Sequence, residues 1–387
     1  MPKKNFEEWS VIACDQYTSE PEYWQNVENF VGDKNSALRV VLPEVYLSDN
    51  NSQRIENINK NMDQYIKNDI FDEYKDSYIY VERRQSDGKI RHGIVGCIDL
   101  ADYDYNKGSS AMIRATEETV FARVKARVEI RKDAPLELTH VMLLIDDAED
   151  LVFNDLKVHK TEFETLYDFN LMQNGGHIVG RKLSADAAER MQNTFKKLYE
   201  DSNGLLFCSG DGNHSLATAK ECYEQNPTEL NRYALVEIVN IHDSALEFEP
   251  IYRLVTGVGS EKLIKAFIDY CGGEYSGSNA QKFTCVYMGG ERVVSVKPCA
   301  ELSVATLQKF LDEYLSECEG AEIDYIHGDE SLRKLASKEN SVGFLFDGMA
   351  KSELFPAVQA DGSLPRKTFS MGNADDKRFY LEARKIK

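Results

Sequence analysis

Short apolar runs that favour β-strands alternate with longer runs of helical spacing along this chain. The strand-like runs include SVIAC (10–14), GLLFCSG (204–210) and YALVEIVNI (233–241). In GSEKLIKAFIDYCG (259–272) and SVATLQKFLDEYLSEC (303–318), apolar residues recur at i, i+3, i+4 and i+7, which indicates amphipathic helices. This alternation predicts a mixed α/β fold, of either the α/β or the α+β class.

The remaining runs continue this alternation, and a change in composition indicates a domain boundary. The composition changes near residues 247–259, so we expect a main α/β domain at 1–250 and a smaller C-terminal α/β region at 251–387. Further strands are predicted at 77–84, 91–100, 139–147, 283–288 and 341–347, and further helices at 21–32, 52–67, 117–131, 184–201 and 214–226.

The chain is strongly acidic, with 65 Asp and Glu residues against 46 Lys and Arg residues and a formal net charge of −19. Such a charge repels nucleic-acid phosphates at long range, so we expect no nucleic-acid partner, although a local basic pocket could still hold a small phosphate-bearing ligand. No run of 18 apolar residues and no signal peptide is apparent, and the eight cysteines form no CxxC pair. We expect a cytoplasmic protein with no membrane partner, and the sequence does not predict its oligomeric state.

The stretch FCSGDGNHSLATAK (207–220) places Gly-Asp-Gly-Asn-His-Ser between an apolar strand and a run of helical spacing. Gly210 and Gly212 allow a tight turn and the close approach of a ligand, and a helix N-terminus favours a phosphate. Asp211 could hold a metal ion or cap the helix, and His214 could donate to a phosphate oxygen or shuttle a proton. The same residues would also suit an ordinary capped turn.

Several segments resemble a bacterial and archaeal domain-of-unknown-function family, numbered 1015. They are EWSVIACDQYTSEPEYW (8–24), LPEVYL (42–47), IRATEETVFARV (113–124), FCSGDGNHSLATAK, YALVEIVNIHD (233–243) and LPRKTFSMG (364–372). The family's turn is similar to the phosphate-binding turn of the ParB/sulfiredoxin-like superfamily, which includes a nucleotide-binding partition protein, an ATP-using sulfinic-acid reductase and free-serine kinases. The resemblance implies a ParB/sulfiredoxin-like core with a mixed sheet, and a C-terminal segment that folds back to complete the site.

The turn departs from the family pattern D-G-H-H-R. Asp211, Gly212 and His214 match it, whereas Asn213 stands in place of the first histidine and Ser215 in place of the arginine. Loss of that arginine removes a bidentate phosphate contact. We nevertheless expect Gly210, Gly212, Asn213 and Ser215 to contact the ligand.

Other family positions contribute further candidates. Arg114 and Glu117, at i and i+3, would share a face if they lay on a helix, and Arg114 is the first candidate to replace the missing arginine. The resemblance also suggests that Arg366 and Lys367 in LPRKTFSMG clamp a phosphate, although an edge strand protected by charge is the alternative. A surface ion pair is the alternative for Arg114.

Two carboxylates are candidates for acid–base chemistry. Asp15 follows the strand SVIAC and resembles a family aspartate, so it could accept a proton from a hydroxyl group, or it could cap the next helix. Glu237 lies within an apolar strand, where a carboxylate must either form an ion pair or serve in a functional site. A site role and a structural ion pair are both open for Glu237.

These residues favour a phosphotransferase that uses ATP or ADP with Mg²⁺, partly held by Asp211, and acts on a small hydroxyl metabolite such as serine. Asp15, Asp211, His214 and Glu237 would be the catalytic residues. The alternatives are a non-catalytic regulator that binds a nucleotide or phosphometabolite, and a small-molecule phosphatase.

Overall fold

The computed structural model describes residues 1–48, 50–119 and 121–387, which form two compact units. The first unit comprises Met1–Leu246 together with Gly372–Lys387, and the second comprises Glu247–Met371. The last residues of the chain are therefore part of the same unit as the first. The domains 1–250 and 251–387 expected from the sequence stay a prediction.

The first unit begins with alternating helices and strands. Its helices are α1 (Phe6–Trp9), α2 (Pro21–Val31), α3 (Ser52–Lys67), α4 (Phe121–Arg131), α5 (Leu151–His159), α6 (Ala185–Asp201) and α7 (Asn213–Gln225). Its strands are β1 (Val11–Ile12), β2 (Ile79–Arg84), β3 (Ile90–Asp99), β4 (Tyr103–Asp104), β5 (Ile113–Ala115), β6 (Leu136–Leu138), β7 (Met142–Ile145), β8 (Glu164–Asn170), β9 (His177–Lys182), β10 (Phe207–Asp211) and β11 (Tyr233–Asn240).

Within the described residues, nine of these strands form one mixed sheet in the order β4-β5-β10-β7-β11-β3-β2-β9-β8. Strand β10 runs parallel to β5 and antiparallel to β7, and β11 runs parallel to β7. The carboxyl ends of β5 and β10 therefore meet the start of β7 at one edge of the sheet. This edge carries the Gly-Asp-Gly-Asn turn.

Hydrophobic cores lie on both faces of the large sheet. Consecutive residues of β2 point to opposite faces of the sheet. Tyr80 belongs to one hydrophobic cluster, with Phe153 and Leu216, and Val81 belongs to another, with Trp24. Residues of α2 and α3 belong to the cluster of Val81, and residues of α5, α6 and α7 belong to that of Tyr80. Both faces of the strands are apolar because helices cover each of them.

The second unit is a smaller α/β assembly. Its elements are β12 (Phe248–Thr256), α8 (Ser260–Tyr270), β13 (Gln281–Tyr287), β14 (Gly290–Val296), α9 (Ser303–Ser316), β15 (Glu322–His327), α10 (Asp329–Ala336), β16 (Ser341–Phe346), α11 (Leu354–Asp361) and β17 (Phe369–Met371). Strands β14, β13, β16, β12 and β15 are neighbours in that order, and β17 pairs with β12.

The terminal segment Gly372–Lys387 adds two strands to the first unit. Strand β18 (Phe379–Tyr380) pairs antiparallel with β1, and β19 (Ala383–Lys385) pairs antiparallel with β6. Arg83 stabilises the segment that precedes β18, because its guanidinium donates to the carbonyl oxygens of Asp375 and Lys377 as well as to that of Gly175. Residues from both ends of the sequence thus lie side by side.

The mixed α/β class and the mixed sheet expected from the sequence are confirmed, and one local expectation is wrong. The helix expected at 117–131 begins at Phe121, so Arg114 lies in β5 and does not share a helix face with Glu117. In the part of the chain that the structure describes, strand β1 of the run SVIAC pairs with β18 and lies outside the large sheet. No helix within the described ranges is long and apolar enough to cross a membrane.

Candidate functional site

The turn between β10 and α7 is tight because a glycine follows Asp211. Gly212 has φ 78°, a conformation that favours glycine, and an added Cβ would lie 3.0 Å from the Cα of Val141. The Gly212 amide donates to Oδ1 of Asp211 at 2.8 Å. Helix α7 then begins at Asn213 and continues for 13 residues, so its N-terminus lies directly after the strand end.

Asn213 connects the turn to the end of the neighbouring strand β5. Its Oδ1 accepts the amide of Thr116, and its Nδ2 donates to the Thr116 hydroxyl, both at 3.2 Å. That hydroxyl donates in turn to the carbonyl oxygen of Ser209 at 2.6 Å. The Asn213 side chain is buried and has a structural role here, and its proposed contact with a ligand stays a prediction.

Ser215, in the first turn of α7, contacts a histidine from another element. Its Oγ lies 2.8 Å from Nε2 of His140, the residue two positions before β7. The Tyr380 ring lies edge-on to the imidazole, with ring centroids 5.3 Å apart. The antiparallel pairing of β7 with β10 brings His140 to the turn, because it places the start of one strand beside the end of the other.

The surroundings of His140 keep its imidazole neutral. Burial lowers the pKa of His140 below its ordinary value, and this effect exceeds the opposing influence of the Asp15 and Asp211 carboxylates. The Arg127 guanidinium, which pairs with Glu44, also disfavours a second positive charge. A neutral imidazole can accept a proton, which makes His140 a candidate general base.

Asp15 and Cys14 lie just after β1. Burial opposes the charge of Asp15, but the charge that His140 carries when protonated, the hydrogen bond from Gln16 and the charge of Lys377 hold the pKa of Asp15 below its ordinary value, so Asp15 is ionised at neutral pH. Burial raises the pKa of Cys14 to about 12, so its thiol stays protonated. The backbone amide of Cys14 donates to the Tyr380 hydroxyl at 3.2 Å.

Lys377 brings a positive charge from the terminal segment to the turn. Its Nζ lies 3.3 Å from Oδ2 of Asp211, and its charge also acts on Asp15. The pairing of β18 with β1 positions this lysine, together with Tyr380. The sequence analysis proposed Arg114 and Arg366 as sources of positive charge and did not consider Lys377, which lies beside the turn.

A cavity of about 230 Å³ opens beside the contact of Ser215 with His140. Cys14, Glu44, Arg127 and Tyr380 also line this cavity. Most other lining side chains are apolar and include Val40, Leu42, Ile55, Met62, Leu136 and Leu235. Such a space suits a small molecule with both an apolar and a polar part.

Glu237 lies in a buried charge network. It is 1% exposed, and its carboxylate lies 2.7 Å from Nε of Arg378 and 3.6 Å from Nε of Arg91. Arg378 also pairs with Glu382, which accepts a hydrogen bond from Tyr167 at 2.7 Å. This environment favours the structural ion pair that the sequence left open for Glu237.

The remaining sequence candidates lie at several places. Gly210 lies in β10, and His214 is in the first turn of α7, where its carbonyl oxygen accepts the Thr218 hydroxyl. Arg114 donates from Nε to the carbonyl oxygen of Ala111 at 2.9 Å, and Glu117 follows β5. Their roles in ligand binding stay predictions.

Arg366 and Lys367 belong to the second unit. Arg366 donates from Nε to the Tyr325 hydroxyl at 2.9 Å, and the backbone carbonyl oxygens of both residues accept hydrogen bonds from Arg253. Lys367 has φ 58° and lies outside a strand, since β17 covers Phe369–Met371. The phosphate-binding role of Arg366 and Lys367 stays a prediction.

The donor set around the turn offers little for a permanently bound metal ion. No group of three or more His, Cys, Asp or Glu residues suited to a metal occurs in the described part of the chain. Both oxygens of Asp211 already have partners, Gly212 and Lys377. That Asp211 holds a Mg²⁺ ion together with phosphate oxygens stays a prediction.

Sequence reasoning did not identify His140, Lys377 or Tyr380. For His140 a signal existed, since it stands at the start of the predicted strand 139–147 and that strand could have been paired with 204–210. Nothing local distinguishes Lys377 or Tyr380, because their place depends on pairing between the two ends of the chain.

The chain belongs to the family described as protein of unknown function DUF1015, whose model matches residues 1–314. This confirms the family expected from the sequence segments. No curated protein matches the chain.

Several solved structures are similar to this chain at low identity. A variant of free serine kinase in complex with ADP has 12% identity and a TM-score of 0.42, with 77% of this chain and 93% of that chain covered. A conserved hypothetical protein from Pyrococcus furiosus has 12% identity and a TM-score of 0.40, with 76% and 95% covered. C-terminally truncated SbnI from Staphylococcus aureus has 9% identity and a TM-score of 0.41, with 75% and 87% covered.

Proposed function

We propose that this member of the DUF1015 family is a small-molecule phosphotransferase that binds phosphate groups at the turn Asp211–Ser215. The observation that supports this most directly is the geometry of that turn. A glycine with positive φ lets the backbone pass directly from β10 into α7, so the N-terminus of a 13-residue helix stands at the strand end. The amides at that N-terminus and the helix dipole favour a phosphate there.

Lys377 supplies the positive charge in this proposal. It lies beside Asp211, and a phosphate in front of α7 would give its ammonium group a second anionic partner. A lysine provides charge but not the planar bidentate contact of an arginine, so we expect weaker geometric selection of the phosphate than an arginine would give.

Asp15 is the proposed base for the acceptor hydroxyl group. Its low pKa keeps the carboxylate ionised at neutral pH, and the neutral His140 is near enough for each of the two groups to affect the pKa of the other. A carboxylate can orient a hydroxyl group and accept its proton as the phosphoryl group is transferred. Serine is the first acceptor to test, and hydroxyl compounds with an apolar part are the next, given the lining of the cavity.

ATP and ADP are the first nucleotides to test. The choice follows the adenine nucleotides named for the free serine kinase structures, while the phosphate site itself rests on the turn. Mg²⁺ would screen the charge of the phosphates when bound with them. We place this activity in the cytoplasm, because all eight cysteines are unpaired thiols.

A thermal-shift experiment tests the phosphate site. Wild type, Lys377→Ala and the exposed control Lys265→Ala are each measured with ATP, ADP, pyrophosphate, phosphoserine and serine, with and without Mg²⁺. We expect a phosphate-bearing ligand to stabilise wild type and Lys265→Ala, and Lys377→Ala to lose most of that shift. Absence of a shift with every phosphate compound would contradict the proposal.

Turnover assays follow for any ligand that binds. Formation of ADP that requires an added hydroxyl acceptor would support the phosphotransferase. A nucleotide-induced shift without product would instead support a non-catalytic regulator, and release of inorganic phosphate with water as sole acceptor would support a phosphatase.

A further inference from the structure

We propose that Ser215 is the nucleophile of this site and carries the phosphoryl group in a covalent intermediate, with His140 as its general base. The inference rests on the proposed function, because it specifies the path of the same phosphoryl group. The phosphoryl group would pass from the phosphate donor to Ser215 and then from Ser215 to the hydroxyl substrate. Two residues that the sequence did not connect become a catalytic pair.

Ser215 is the best-placed nucleophile among the hydroxyl and thiol groups that line the cavity. The others are Cys14, Thr218 and Tyr380. Burial keeps the Cys14 thiol protonated and raises the pKa of Tyr380 well above its ordinary value. The Thr218 hydroxyl donates to the backbone carbonyl oxygen of His214 at 2.7 Å, as is common within a helix.

The Ser215 hydroxyl instead lies against an imidazole. The separation of 2.8 Å between Oγ and Nε2 is within the range required for proton transfer between a nucleophile and its base. With its proton on Nδ1, neutral His140 accepts at Nε2. The adjacent ring of Tyr380 limits how far the imidazole can turn.

Burial disfavours a charged His140, and nearby carboxylates offset part of that cost during the transfer. When His140 accepts the serine proton it becomes an imidazolium, and the carboxylates of Asp15 and Asp211 stabilise that charge, whereas Arg127 opposes it. Glu44, which pairs with Arg127, offsets part of this opposition. The amides at the start of α7 stand near Ser215 and can stabilise negative charge on the phosphoryl oxygens.

The reaction then has two balanced steps. In the first, Oγ of Ser215 bonds to the terminal phosphorus of ATP, the bond from phosphorus to the bridging oxygen breaks, ADP leaves, and the serine proton passes to His140. In the second, the hydroxyl oxygen of the acceptor bonds to the same phosphorus, and the bond to Oγ breaks. Oγ recovers a proton from His140 while Asp15 accepts the acceptor's proton and later releases it to solvent.

The test is detection of the phosphoserine. The full chain is mixed with ATP and Mg²⁺ in the absence of acceptor, quenched rapidly, digested and analysed by mass spectrometry. We expect one phosphoryl group on the peptide that contains Ser215, and its loss on addition of the acceptor. Ser215→Ala removes this phosphopeptide, and the matched control Thr218→Ala, on the same helix, retains it.

His140 is tested by rate and by pH. We expect His140→Gln to slow phosphorylation of Ser215 by about 10²-fold or more and to abolish its rise with pH, while the ATP-induced thermal shift persists. A purely structural contact would lower the stability of His140→Gln without changing the pH profile of labelling. Unaltered labelling kinetics in this variant would remove His140 from the proposal.

A fluorophosphonate probe separates this inference from the proposed function. Attack by Oγ on its phosphorus releases fluoride and leaves a stable adduct, so labelling of Ser215 measures nucleophilicity without a nucleotide. Labelling in wild type but not in His140→Gln supports the pair even if no nucleotide binds, in which case the proposed function fails. A nucleotide-induced shift and product formation with neither phosphoserine nor probe adduct overturns the inference and leaves the proposed function intact.

Discussion

Lys377 Nζ lies 3.3 Å from Oδ2 of Asp211, so the terminal segment contributes a positive charge to the Gly-Asp-Gly-Asn turn. The second oxygen of Asp211 accepts the amide of Gly212, which ties the same carboxylate to the backbone of the turn. This arrangement holds a cation in front of a helix N-terminus before any ligand is bound. The following predictions concern the residues that maintain it.

Gly212 is required by the backbone of the turn. We expect Gly212→Ala to lower the free energy of unfolding by about 1–2 kcal/mol from the positive φ alone, and by more because its Cβ would meet Val141. Gly204, with φ 80° and no heavy atom within 4 Å of the added Cβ, is the matched control. Denaturant unfolding of the two variants measures the difference. Equal losses would show that Val141 does not restrict the position.

Asn213 should contribute to stability through Thr116. We expect Asn213→Ala to cost about 1–3 kcal/mol, because the buried amide of Thr116 loses its acceptor and the Thr116 hydroxyl loses one of its two hydrogen bonds. The control is Asn226→Ala at the exposed end of the same helix, with an expected change within about 0.5 kcal/mol. Urea unfolding followed by circular dichroism compares them. Similar losses in both variants would contradict the role assigned to Asn213.

Removing Glu237 should strongly destabilise the first unit. Glu237→Ala leaves the Arg378 guanidinium, 1% exposed, with one carboxylate fewer, and truncation of such a buried pair typically costs about 3–5 kcal/mol. Asp269→Ala, which removes the exposed pair of Asp269 with Lys265, should change stability by no more than about 0.5 kcal/mol. Equilibrium denaturation measures both. If Glu237→Ala left the stability unchanged, Glu237 would not be required for folding, and its role in the candidate site would be open again.

His140 should make stability depend on pH. Burial lowers its pKa in the folded state below the ordinary value of 6.5, so the unfolded chain binds the proton more tightly. The free energy of unfolding should therefore fall as the pH decreases below about 6.5 and reach a plateau below the folded-state pKa. His140→Gln should lose this part of the dependence, and His177→Gln, on the hairpin of β8 and β9, should retain it. Thermal melts between pH 5 and 8 provide the comparison.

The sequence predicted much of the fold because most of its signals are local. Apolar periodicity identified α2, α3, α6, α7, α8 and α9, and the start of α7 was expected within one residue of its observed place. Helix α4 starts later than expected. Residues 113–115 pair with β10 as strand β5, and pairing of this kind cannot be read from a local pattern.

The candidate site was predicted in part for the same reason. The sequence alone determined the strand, glycine turn and helix at 207–220, since adjacent residues carry their signals. Only the tertiary structure decided that His140 meets Ser215 and that Lys377 and Tyr380 meet the turn. These contacts depend on the pairing of β7 with β10 and of β1 with β18. Such pairings join distant segments through backbone hydrogen bonds and buried apolar surface, and no short stretch of sequence specifies either partner.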